Sequence, residues 1–153
     1  MGLKGAKEYA AFSKDFYEGY DRSEELLNYP ERVSEDAYVA LSSALWKFME
    51  PMNNGPSSHS VMTGFYVPNA SDNQAGHKDG FGTTTFAIAK ELCSDWNKSQ
   101  GSKDRADYFN DMLEDLGLDK ETSNLYCEKM WSDFAWGGSS NKKLYFAREW
   151  GSV

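Results

Sequence analysis

Residues 77–96 read HKDGFGTTTFAIAKELCSDW, and the reading of this stretch decides the fold. Gly80-Phe81-Gly82 has the composition of a tight turn, because glycine reaches backbone conformations that other residues avoid. The apolar run behind it predicts a helix over 84–96 that carries Cys93 near its end. Upstream, residues 52–84 are rich in Gly, Pro, Asn and Ser, yet they carry Val61, Phe65, Tyr66, Val67 and Phe81 as apolar anchors. That mixture predicts a long ordered loop inside a domain, with one short helical piece at 58–63. Ordered loops of such length are often functional.

The flanking segments read as helices. Tyr9, Phe12, Phe16 and Tyr20 recur at helical spacing and predict an amphipathic helix over 5–20. A short helical turn precedes Pro30. Ser34 is then the expected cap of a helix that carries Tyr38, Leu41, Leu45 and Phe48 on one face and stops at Pro51. Beyond the polar break NKSQGSKD, residues 105–116 predict another amphipathic helix, with Tyr108, Phe109, Met112, Leu113 and Leu116 inward. Gly117 suits the left-handed position that ends it. A last helix is expected over 121–133, followed by a glycine turn and an aromatic tail of undefined form. The class is mainly α, in one compact domain with long ordered loops.

Composition narrows the function. The chain has 153 residues, enough for one ordinary core. Five Trp, nine Tyr and nine Phe supply large apolar surface, so folding needs neither metals nor many disulfides. The net charge is -8, which argues against binding phosphate backbones or anionic lipid. No apolar run approaches the ~20 residues of a membrane span, and the N-terminal residues lack the apolar core of a signal peptide. No metal or cofactor is expected: His59 and His77 stand apart, no CxxC pair occurs, and a zinc site takes about four convergent ligands. Cys93 and Cys127 read either as two buried thiols or as one disulfide, the latter implying an oxidising compartment. The tripeptides Asn69-Ala70-Ser71 and Asn97-Lys98-Ser99 fit a secretory route.

No catalytic constellation stands out. Glycoside hydrolysis needs two carboxylates facing one bond, and Glu24-Glu25, Glu35-Asp36 and Glu114-Asp115 read as helix-end or solvated charges. His59 is either a base or ligand or, on the simpler reading, a residue that ties down its loop. Trp46, Trp96, Trp131, Trp136 and Trp150 suit sugar stacking as well as core packing.

Taken together, residues 5–127 resemble the C-terminal half of the family 19 glycoside hydrolases, the plant-type chitinases and their bacterial relatives. LLNYPERVSEDAYVALSSALWKFMEPMN (26–53) is similar to that family's Leu-Leu-x-x-Pro-x-x-Val followed by a helix ending Ala-Leu-Trp-Phe-Trp-Met-x-Pro. GPSSHSVMTGFYVPNASDNQAGHKDGFG (55–82) is similar to its Lys-Pro-Ser-x-His-x-Val loop and Gly-Phe-Gly turn. DRADYFNDMLEDLGL (104–118) resembles Asp-Arg-Ile-x-Tyr-Tyr with a Leu-Gly-Val end. The resemblance implies a lysozyme-like fold, here one lobe of it, beside a chitin cleft. It also implies a Cys93–Cys127 disulfide, and with it a secreted or organelle-lumen location. Arg105, His59 and Trp46 are the substrate-binding candidates it implies, and no cofactor.

The departures from the family pattern are concentrated in the cleft. The family's two catalytic glutamates lie in and after a His-Glu-Thr pattern of its N-terminal half. This chain contains no His-Glu and begins after that region. LKGAKEYAAFS (3–13) resembles the family's Arg-Gly-Ala-Lys-Gln-Leu-Ser-Tyr-Asn-Tyr-Asn-Tyr-Gly-Ala-Phe-Ser, with the cleft-lining polar Gln-Leu-Ser-Tyr-Asn-Tyr-Asn run shortened away. The lysine expected before Pro56 is Gly55. The family's Thr-Asn-Ile-Ile-Asn-Gly-Gly appears as Thr85-Phe86-Ala87-Ile88-Ala89-Lys90-Glu91, so its sugar-binding asparagine falls on Ile88 or Ala89. The carboxylate partner of Arg105 falls on Leu92 or Glu91. The expectation is a non-catalytic chitinase-like domain over 1–127, acting as a structural or interaction subunit with another protein or assembly. Residues 128–153 form an aromatic extension that packs on it or on a partner. The alternatives are a module binding chitin oligosaccharide and a chitinase completed by a missing segment or partner chain.

Overall fold

The computed structural model describes residues 2–51, 55–93, 99–127, 129–130 and 132–134. Trp96, Trp131, Trp136, Trp150 and most of the aromatic extension lie outside them. The chain divides into two units, Met1–Glu50 and Pro51–Val153. The described residues form helices and no strand.

The first unit holds α1 (Gly5–Phe16), α2 (Glu25–Asn28), α3 (Arg32–Glu35) and α4 (Ala37–Met49). Helix α1 is shorter than the aromatic spacing predicts. It stops at Phe16, and a turn through Gly19 at φ +84° carries the chain away. Its inner face buries Phe12, whose ring lies 5.7 Å from that of Trp46. Ser13 is also buried. Its Oγ accepts the Leu26 N–H at 3.1 Å and thereby fastens the loop before α2.

Helix α4 is capped by Asp36 rather than Ser34. Asp36 Oδ1 accepts the N–H groups of Tyr38 and Val39, while the Ser34 hydroxyl donates to the Glu31 carbonyl. The expected apolar face is also not the packed one, since Tyr38, Leu41 and Leu45 are exposed. The opposite face packs instead, through Val39, Ser43, Trp46 and Lys47. Two polar anchors hold it inward. The Trp46 indole N–H donates to Asp15 Oδ2 at 2.8 Å. Lys47, only 3% exposed, donates to Glu8 Oε2 at 2.8 Å and to the Gly2 carbonyl at 3.0 Å. A buried ammonium deprived of its counter-charge is costly. Glu8→Ala is therefore expected to lower stability by about 3 kcal/mol in chemical denaturation. Adding Lys47→Met to it should restore much of that loss.

The second unit opens with the loop that carries α5 (Ser58–Met62) and α6 (Ala70–Gln74). Helix α5 matches the expected helical piece. Helix α6 is an addition: Asn69 Oδ1 accepts the Asp72 N–H at 2.9 Å, and Asp72 Oδ2 accepts the Asn69 N–H, a reciprocal capping box. Helix α7 (Phe81–Ala89) follows the Gly-Phe-Gly turn and tightens into a 3₁₀ turn, Lys90–Leu92. Helix α8 (Ser99–Asp115) starts earlier than the amphipathic pattern predicts. It ends as expected at Gly117, φ +72°, with the Leu118 N–H donating to the Leu113 carbonyl at 2.8 Å.

The helix expected over 121–133 does not form in the described part of that span. Glu121 instead turns its carboxylate onto the N–H groups of Thr122 and Ser123 and the Ser123 hydroxyl, each at 2.8 Å. Those hydrogen bonds hold its carboxyl below the usual range. The chain then runs non-helically past the Gly-Phe-Gly turn, where the Gly82 N–H donates to the Asn124 carbonyl at 2.8 Å. A Cβ on Gly80 would sit 2.8 Å from Asn124 Cβ, and one on Gly82 would sit 2.3 Å from the Tyr126 carbonyl oxygen. The glycines are thus needed for a close backbone approach as well as for a turn. Cys93 is bonded to Cys127 across 34 residues, which ties this crossing segment to the end of the α7 region. The core around it comprises Val61, Tyr66, Phe86, Ala87, Met130 and Phe134.

Candidate functional site

Helix α7 carries the residues that the resemblance aligns with one side of the family's cleft. Gly82 through Ile88 are all buried. Thr84 and Thr85 donate their hydroxyls to the Phe81 carbonyl, within the helix itself. Ile88 is 8% exposed and Ala89 is half-buried. Neither side chain can hydrogen-bond a sugar hydroxyl. Leu92 packs toward Gly101 of α8, and Glu91 is exposed.

Arg105 projects from α8 onto α7. Its Nε donates to Thr85 Oγ1 at 3.2 Å, and its guanidinium carbon lies 5.6 Å from the centre of the Phe81 ring. Phe109, one helical turn on, stacks against the same ring at 4.4 Å and 12°. Arg105 and Phe109 therefore clamp the phenylalanine of the Gly-Phe-Gly turn at i, i+4 spacing. Burial lowers the Arg105 pKa, and no neighbouring charge among the described residues counters it. The guanidinium stays protonated at neutral pH, because its ordinary value lies far above 7.

The other two candidates are placed differently. His59 is half-buried on α5, where its carbonyl accepts both the N–H and the hydroxyl of Thr63. None of the hydrogen bonds or ring contacts that hold Arg105 involves it. Trp46 belongs to the first unit, is 7% exposed and has its N–H committed to Asp15. No group of three or more His, Cys, Asp or Glu among the described residues is placed to hold a metal. No described helix is long and apolar enough to cross a membrane.

A buried polar node lies on the loop side of α7. His77 is fully buried, stacks on Phe134 at 4.2 Å, and has Nε2 2.8 Å from the Ser132 carbonyl. That carbonyl accepts, so Nε2 carries the proton and Nδ1 is the bare nitrogen, with no hydrogen-bond partner. Asp72 is buried as well. Tyr66 is raised above the usual phenol range, first by burial and then by the charge and hydrogen bond of Asp72. A His beside a Gly carries no periodic signal that marks it as core. For His77, burial pushes the pKa down and Lys90 adds to this, outweighing the Ser132 bond and the charges of Asp72 and Asp133. Above the unfolded value of about 6.5 both states are neutral and stability is full. As pH falls below that value the unfolded chain takes the proton first, so stability declines until the folded pKa is reached. The melting temperature is expected to fall between pH 7.5 and 5.5, and to fall less in His77→Gln.

Helix α7 is thus a buried and largely apolar helix clamped by α8, and the comparisons give its family. Residues 11–127 match the family model described as chitinase class I, of glycoside hydrolase family 19. The chain belongs to this family. It is 38% identical over 106 residues to an endochitinase of Populus trichocarpa, WIN8, a match covering 67% of this chain and 33% of that protein. It is 33% identical over 104 residues to an endochitinase of Pisum sativum, covering 68% and 32%. With an acidic endochitinase Q of Nicotiana tabacum it shares 34% identity over 86 residues, covering 56% and 34%. The chain thus spans about a third of the length of these relatives. The helical, strand-free described structure fits the mainly α, lysozyme-like fold of the family.

Proposed function

We propose that this chain is a non-catalytic chitinase-like domain that works as a structural or interaction subunit. The observation that carries the reading is the exposed face of α8. Tyr108, Met112 and Leu116 form one stripe at i, i+4, i+8 and are 70%, 66% and 74% exposed. They face outward, contrary to the inward face that the amphipathic spacing predicts. Covering such side chains is worth about 2 kcal/mol each, and a stripe of that kind commonly marks a contact surface. The apolar α7 wall supports the non-catalytic half of the reading. In the native assembly, amide hydrogen exchange along α8 is expected to be slower than in the isolated chain. Equal rates in both would count against a contact there.

Binding of chitin oligosaccharide is the second reading, favoured by one observation: the Arg105 guanidinium, half-buried over Phe81, without a charge partner among the described residues. Calorimetric titration with chitin oligosaccharides separates the two. The subunit reading predicts no saturable heat, whereas a binding module predicts saturation that Arg105→Ala weakens. Trp46 has a packing role in either reading. The Cys93–Cys127 bond supports maturation in an oxidising compartment, such as a secretory lumen.

A further inference from the structure

We propose that Asn69 is an acceptor for N-linked glycosylation, the donor being an oligosaccharide carried on a lipid diphosphate. The tripeptide Asn69-Ala70-Ser71 has the required hydroxyl residue and a middle position free of proline. Asn69 and Ser71 are both exposed in the folded chain. A glycan attached before folding therefore finds solvent and not core when the loop closes around α6.

The decisive feature is how the carboxamide is used. Asn69 Oδ1 accepts the Asp72 N–H at 2.9 Å. An amide turned the other way would set N–H against N–H, so the capping bond fixes which atom is oxygen. That leaves Nδ2 pointing away from the cap, with no hydrogen bond to a described residue. Asn73 and Asn110 use theirs differently. Asn73 Nδ2 donates to the carbonyls of Pro68 and Asn69, both at 3.0 Å, and Asn110 Nδ2 donates to the Glu121 carbonyl at 3.1 Å. At Asn69 the helix uses the oxygen and leaves the nitrogen for the sugar. In the transfer, Nδ2 forms a bond to the anomeric carbon. The carbon–oxygen bond to the diphosphate breaks, the lipid diphosphate leaves with its electron pair, and the amide releases one proton. The product amide keeps its oxygen, so the cap survives.

The surroundings suit a glycan. Phe65 and Val67, just upstream, are 63% and 77% exposed, and the C–H face of a core sugar covers apolar surface well. The Cys93–Cys127 bond needs an oxidising compartment, and the secretory lumen that provides it also holds the glycosyl donor.

The test uses the full chain, directed through a eukaryotic secretory pathway and confirmed to have its cysteines oxidised. Peptide mapping should find a glycan on the Asn69 peptide that peptide-N-glycanase removes, leaving aspartate at position 69. Asn69→Asp, which keeps an acceptor for the Asp72 N–H and hence the cap, should abolish the glycan. Ser71→Ala, which leaves Asn69 in place, should abolish it as well. An oxidised, secreted chain with an unmodified Asn69 peptide would overturn the proposal, and so would a glycan at Asn69 that survives Ser71→Ala.

Discussion

The double variant Cys93→Ala/Cys127→Ala is expected to lose roughly 3–4 kcal/mol of stability, which is what closing a loop of this size contributes through the unfolded chain. The bond spans 34 residues of sequence, and both cysteines are buried, Cys127 completely. Between them lies the whole of α8, so opening the bond frees the helix and the crossing segment 121–127 together. The Ser102 hydroxyl, buried 3.4 Å from Cys127 Sγ, loses its partner at the same time. The loss adds to the loop term, because a buried hydroxyl left unpaired carries its own penalty. Chemical denaturation of the oxidised wild type against the variant measures the sum. A loss below ~1 kcal/mol would mean that the crossing segment holds its place without the bond.

Gly82→Ala is expected to cost about 3 kcal/mol, and here two effects oppose each other. Alanine is the better helix former by up to ~1 kcal/mol, and Gly82 sits in the first turn of α7. Against that, the new Cβ would meet the Tyr126 carbonyl oxygen at 2.3 Å and the Tyr126 carbonyl carbon at 2.6 Å. These are backbone atoms and cannot swing aside as a side-chain end does. They are also one residue from Cys127, whose disulfide resists the shift. The clash therefore wins. Gly2→Ala is the control, since a Cβ there meets nothing within 4 Å. It should leave the unfolding midpoint unchanged while Gly82→Ala lowers it.

Much of the scaffold was legible in sequence because it rests on local rules. Gly117 is a glycine just past an amphipathic helix, and it takes the left-handed conformation that such a position favours. The α6 capping box, Asn69-x-x-Asp72, is also local, but the surrounding Gly, Asn and Ser read as loop and hid the helix. The failures came from tertiary context. Residues 121–127 belong to a span read as helix, but backbone approaching Gly80 and Gly82 as closely as Asn124 and Tyr126 do has no room for one. On α4 the sequence places more large apolar groups on the face with Tyr38, Leu41 and Leu45. Burial follows the Trp46–Asp15 and Lys47–Glu8 pairs instead, whose partners are remote in sequence.

The candidate site was legible mainly by substitution. Ile88 and Ala89 could be read as standing where the resemblance puts a sugar-binding asparagine, and the structure adds that Ile88 is buried and Ala89 half-buried. The Arg105–Phe81–Phe109 clamp could not be read, because no local signal pairs an arginine of one helix with the turn that starts another. Nor could the His77 node, whose partners Ser132 and Phe134 lie far along the chain.

The proposal at the centre is a chain of the chitinase family whose own residues carry no hydrolytic chemistry. Hydrolysis by this family needs a proton donor and a base facing one glycosidic bond, and loss of such a group costs several orders of magnitude in rate. The direct measurement is turnover of chitin oligosaccharides by the purified chain, with products resolved by length and anomeric form. The account predicts no cleavage above the buffer blank. Cleavage proportional to the chain's concentration, releasing the inverted anomer first, would contradict it.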